Sequence, residues 1–238
     1  MKKGTVISLA WPATLCKQAG SWYDMISSLI GLSKNGYYKV GHSALILVDH
    51  EDGHCRYFDF GRYHAPVGHG RVRSKETDHD LHVETKARLD PLNNSIRNIQ
   101  EILRELYHNP STHGDGEIFG SVTQVDYHRT LNYIVSLQNR DHIEYGPFVM
   151  NGTNCSRFVS NAILAGNPEL RVRIGLHFPL TVSPTPMWNL RATQNPIFRF
   201  GGMESVQQSS FNTEPIMGEL IINEPQTDDV PFPITIER

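Results

Sequence analysis

Apolar and polar positions alternate along the first third of the chain in a way that predicts strands more clearly than helices. TVISLAW at 5–11 has the branched and aromatic composition of a strand. SWYDMISSLIGL at 21–32 reads as a short helix, with Ser21 as N-cap and Asp24 three residues on. VGHSALILV at 40–48 and CRYFDF at 55–60 flank the polar segment DHEDGH, whose Asp52-Gly53 pair is a turn signal, so these two runs are expected to form a hairpin. A third strand is expected near DLHVET at 80–85, where Leu81 and Val83 fall on one face.

The period then changes. Ile96, Ile99, Leu103 and Leu106 recur at helical spacing, and after the polar loop at 109–117 a second helix is expected through Leu131, Ile134, Val135 and Leu137, with Thr123 or Asp126 as its cap. A third helix begins at Cys155. Its buried face would be Phe158, Val159, Ala162 and Ile163, and Gly166-Asn167-Pro168 supplies the stop. From about residue 170 the chain is Pro-rich and weakly periodic, with strand-like pieces at IFRF and ELII. The expected organisation is one domain over 1–238 with a Pro-rich C-terminal extension from about 170.

Composition narrows the function classes. With 238 residues and 39% hydrophobic content the chain can bury a sizeable core, so disorder is excluded as the general reading. A net charge of −3 without a basic stripe argues against nucleic acid as a partner. No apolar run approaches the roughly 20 residues of a membrane span. The opening MKKGTVISLAWPATLC imitates a secretory leader, but Trp11-Pro12 interrupts it and Leu15 rather than a small residue precedes Cys16; a first strand and a cytoplasmic location are expected. Three cysteines without zinc-site spacing make a disulfide framework improbable and leave room for a reactive thiol.

Cys155 is the thiol best placed for chemistry. It follows the polar turn NGTN and opens a helix, where unpaired N–H groups and the helix dipole favour thiolate over thiol. A nucleophilic cysteine needs a base, and the base needs an orienting acceptor. His42 and Asp59 fit these roles, because pairing about the Asp52-Gly53 turn brings them within a few residues of being opposite each other. Cys55 is a rival thiol without a helix terminus to stabilise it. HEDGHC at 50–55 and DHDLH at 78–82 hold several metal-ligand types but no recognised zinc spacing, and no cofactor or metal is expected. Arg62, Tyr63 and His64 could line a pocket near Asp59, but a solvated strand end explains them equally well. Asp59 could itself be an edge-strand charge that opposes aggregation.

The sequence GHSAL, a strand carrying Asp59, and NCSRFV about a hundred residues later together resemble the circularly permuted papain-like hydrolases related to NlpC/P60 peptidases. In the permuted order the histidine strand precedes the cysteine helix, as here. The resemblance extends to the lecithin:retinol acyltransferase-like and PPPDE groups, although Phe158 stands one position later than their aromatic residue, and Asp59 occupies a place where the acyltransferases carry a second histidine. It implies an α+β papain-like fold, with a cysteine-bearing helix on an antiparallel sheet. It further implies Cys155 as nucleophile, His42 as base and Asp59 as third polar residue. The implied activity is hydrolysis of an amide or isopeptide bond through a thioester, in a peptide or other amide-containing substrate such as cell-wall peptide. A lipid or thioester acyltransferase and a non-catalytic binding module are the alternatives.

Overall fold

A computed structural model of the chain describes residues 3–14, 16–17, 33–34, 37–38, 41–146, 149, 152–177 and 184–202. The strands are β1 (Gly4–Trp11), the two-residue β2 (Cys16–Lys17), β3 (Ser33–Lys34) and β4 (Tyr37–Tyr38), then β5 (His42–Asp49), β6 (Cys55–Gly61), β7 (His69–Arg73), β8 (Ile118–Val125), β9 (Ile143–Glu144) and β10 (Ile197–Phe200). The α-helices are α1 (Ile99–His108), α2 (Tyr127–Gln138), α3 (Cys155–Ala165), α4 (Leu170–His177) and α5 (Pro186–Ala192). Seven strands form one sheet in the order β10-β8-β1-β5-β6-β7-β9, and every pairing in it is antiparallel.

Both faces of this sheet are covered, which explains its long apolar runs. On β5, Leu45 and Leu47 join a core with Ile134 of α2, Phe158 and Val159 of α3, and Val172 of α4. The intervening Ala44, Ile46 and Val48 face the other way, onto Ile102, Leu103 and Leu106 of α1 together with Leu81 and Val83. A strand buried on both sides has no polar face to show. Truncating Phe158, which is fully buried between α3 and the sheet, should cost about 3–5 kcal/mol.

The hairpin β5–β6, strand β1 and helices α1, α2 and α3 lie where the hydrophobic pattern expects them. Asp126 is the N-cap of α2, its carboxylate accepting from the Arg129 amide. IFRF is β10 and pairs with β8. Residues 80–85, expected as a strand, are instead the end of a short 3₁₀ turn (His79–Leu81) followed by irregular chain; Leu81 and Val83 are buried because they pack under α1, not because they pair. Besides the two-residue strands, β7 and β8 were not anticipated. IFGSVTQV forms the long β8, in which Gly120 leaves room for Leu103, whose Cδ2 lies 3.1 Å from where a β-carbon would stand. HGRVR forms β7. Beyond residue 170 the chain also contributes α4 and α5, which pack on the sheet with α3. The helix expected at 21–32 and the strand expected at ELII lie outside the described residues.

Candidate active site

The β5–β6 register pairs Ala44 with Asp59, so His42 stands two residues further along β5 on the same face as Asp59. Gly41 delivers the chain into this strand at a φ of +73°, and a β-carbon there would stand 2.9 Å from the Trp11 carbonyl oxygen. Only glycine satisfies both conditions cheaply. The Trp11 ring stacks on the His42 imidazole with centroids 5.6 Å apart, which limits the rotamers open to the histidine.

His42 Nε2 lies 3.3 Å from Asp59 Oδ2. That contact leaves Nδ1 for Cys155, with which the imidazole is in hydrogen-bonding reach. Cys155 is the first residue of α3, behind Asn154 as N-cap; the Asn154 side chain accepts from the Arg157 amide at 2.9 Å. Asn189 of α5 secures the start of the helix, donating to the Ser156 carbonyl at 2.8 Å and accepting from the Ser160 hydroxyl at 2.7 Å. All three expected residues therefore meet at one end of the sheet. Cys155 and His42 are 8% and 5% exposed, and Asp59 is fully buried.

Electrostatics follow from that burial. Burial alone would lower the His42 pKa, but hydrogen bonds to Asp59 and Cys155 and the charges of both outweigh it and raise it to about 9. For Cys155 burial works toward the thiol, while the His42 hydrogen bond and charge, the Ser156 hydroxyl and the Ser43 amide pull the pKa below its ordinary value. Each partner thus favours the charged form of the other. Burial also pushes the Asp59 pKa upward, and the His42 and Arg73 hydrogen bonds and charges reverse this to hold it below the usual carboxylate range.

A family model described as type VI secretion system effector TseH-like matches residues 6–172. The chain belongs to that family. A crystal structure of the type VI secretion system effector TseH matches with a TM-score of 0.53 at 18% identity, over 84% of this chain and 93% of that one. At that identity the likeness concerns the fold, a mixed α/β arrangement around an antiparallel sheet. A comparison with curated proteins finds no match. The matched family region contains His42, Asp59 and Cys155, whereas α5 and its Asn189 lie beyond it.

Several residues at this site carry no mark in the sequence reading. Arg73 of β7 donates from Nε to Asp59 Oδ1 at 2.9 Å and from its terminal nitrogen to Oδ2. The Tyr57 hydroxyl donates to the same Oδ2 at 3.1 Å. Tyr57 precedes Asp59 by two, and that period-2 spacing on a predicted strand was a usable signal. Arg73 had none. Tyr63, for which a place near Asp59 and a solvated strand end were equally open, covers the Arg73 guanidinium at 3.6 Å and stacks on His113 at 4.7 Å. The edge-charge explanation of Asp59 fails, because β6 is an interior strand and the carboxylate is fully buried.

The remaining chemistry-bearing groups do not converge. Cys55 is buried, its thiol directed to the Gly53 carbonyl at 3.7 Å, and burial pushes its pKa up to about 12. Within the two histidine-rich segments, His50 contacts the Thr5 hydroxyl and the His54 ring lies 6.4 Å from that of His82. Among the described residues no three His, Cys, Asp or Glu side chains gather as a metal ion would require. No described helix is long and apolar enough to cross a membrane.

Proposed function

We propose that the protein is a cysteine hydrolase effector of a type VI secretion system, acting on an amide or isopeptide bond through a thioester, on a permuted papain-like fold of the NlpC/P60 kind. The observation that carries this reading is His42, placed between a buried carboxylate and a thiol at a helix N-terminus. Family membership supplies the effector context. The Cys155 thiolate attacks the carbonyl carbon, and the oxyanion is met by the Cys155 N–H, a first-turn amide of α3. His42 then gives its Nδ1 proton to the leaving amine, takes one from water, and the hydroxide equivalent releases the acid from Cys155. Asp59 keeps Nε2–H engaged throughout and so holds the ring in the tautomer that frees Nδ1. No cofactor is required by these steps.

The test is incubation of the purified protein, and of Cys155→Ala, with isolated peptidoglycan as amide-rich substrate, followed by mass spectrometry of released fragments. New amine and carboxylate ends with wild type and none with the variant support hydrolysis. A persistent acyl adduct on Cys155 after exposure to a lipid donor would instead indicate the acyltransferase chemistry. Alkylation of Cys155 with the pH profile of an ordinary thiol would remove both and leave a binding module.

A further inference from the structure

The carboxylate that contacts His42 is held more closely by another partner. Asp59 faces His42 at 3.3 Å, yet both its oxygens are gripped by the Arg73 guanidinium, and Tyr57 adds a third donor to Oδ2. Arg73 is itself 2% exposed, and Tyr63 closes over its free face. An arginine so buried keeps its charge at any pH at which the protein folds. Among the described residues, the ionisable groups that face His42 or the carboxylate beside it are Asp59 and Tyr57 from β6, Arg73 from β7, Cys155 from α3, and Tyr63 and His113 from two loops.

We propose that Arg73, assisted by Tyr57, is a positioning residue that fixes the Asp59 carboxylate on His42 Nε2 and compensates its charge when the imidazolium releases its proton. This rests on the hydrolase reading for its catalytic meaning, though not for its geometry. In the step concerned, the N–H bond at His42 Nδ1 breaks, the proton passes to the leaving nitrogen, and Asp59 remains a carboxylate. Without Arg73 that step would leave an unpaired anion in a fully buried place, which is costly. His42 would then be its only counter-cation and would hold its proton more tightly. Arg73 thus allows one histidine to serve as both a base toward Cys155 and an acid toward the leaving group. The fork of two N–H donors also sets the carboxylate plane, which an ammonium cannot do.

The test follows His42 by NMR with 13C-labelled histidine, the resonance being assigned by its loss in His42→Ala. Wild type should titrate at about 9. In Arg73→Gln the midpoint should rise by about one pH unit, as expected on removing a nearby like charge. In Arg73→Lys it should stay near wild type while kcat falls and KM holds. An unchanged or lowered midpoint in folded Arg73→Gln overturns the proposal. If Arg73→Gln does not fold, Tyr57→Phe, which deletes one donor to Oδ2, must still raise the midpoint by a few tenths of a unit; no rise overturns it equally. Turnover that survives in Cys155→Ala would sink the hydrolase reading alone, because the His42 titration is read without substrate.

Discussion

Cys155 and Cys55 are both buried thiols, at 8% and 2% exposure, yet their chemistry is pushed in opposite directions. Cys55 lies at the start of β6, where burial dominates, the Ala87 backbone opposes it without outweighing it, and the negative charges of Glu105 and Asp52 work against ionisation. For Cys155 burial also works toward the thiol, but the His42 hydrogen bond and charge and the Ser156 and Ser43 donors outweigh it. Burial therefore does not decide whether a cysteine is inert. What decides is whether a cation and hydrogen-bond donors are buried with it.

The contrast breaks most sharply at Cys155 and at the histidine beside it. Cys155→Ala should abolish turnover with the fold retained, since alanine suits a helix start and adds no bulk; substantial activity in this variant would dismiss Cys155 as nucleophile. His42→Ala should lower kcat/KM by about 10²- to 10⁴-fold. It should also move the Cys155 alkylation midpoint upward, toward the ordinary thiol value of about 8.5. An alkylation profile identical to wild type would show that the histidine is not the cation.

Asp59→Asn should act on stability as well as on rate. If Asp59 did no more than orient His42, an amide there would spare the fold and cost about 10- to 100-fold in kcat, as outer-shell partners do. The buried Arg73 changes that expectation, because Asn leaves its charge uncompensated at a cost of about 3–5 kcal/mol. Urea denaturation beside steady-state kinetics separates the two effects, and a variant as stable as wild type would mean that Arg73 finds another anion.

The pH dependence sharpens the comparison further. His42 is raised above its unfolded value of 6.5, so its contribution to stability is fully present below about 6.5 and is lost as pH rises through about 9. Activity should follow on the alkaline side, falling with an apparent pKa of about 9 as the imidazolium disappears. A flat kcat/KM profile between pH 8 and 10 would contradict this. The smallest effect is expected at Cys55, where Cys55→Ala should leave kcat/KM unchanged and cost about 1 kcal/mol of packing, measured by the same denaturation.

Much of the candidate site was legible because its signals are local. For the helix start a polar turn, a capping Asn154 and the apolar spacing of Phe158, Val159, Ala162 and Ile163 are enough. The Asp52-Gly53 turn brought His42 and Asp59 within a few residues of being opposite each other, and the Ala44–Asp59 pairing of the structure then put both on one face. Strands β7 and β8 were missed for opposite reasons. HGRVR is too polar to look like an interior strand, and IFGSVTQV lacks clean alternation because residues on both of its sides are buried.

The hairpin that carries the histidine and the aspartate and the cysteine at a helix terminus were thus determined by the sequence itself, since each rests on contacts between residues close along the chain. Only the tertiary structure decided that α3 ends against His42, that Asn189 ties down its first turn, and that Arg73 claims the carboxylate. Those pairings join residues far apart in sequence, and an arginine bound for a buried ion pair looks the same, in a list of residues, as one bound for solvent.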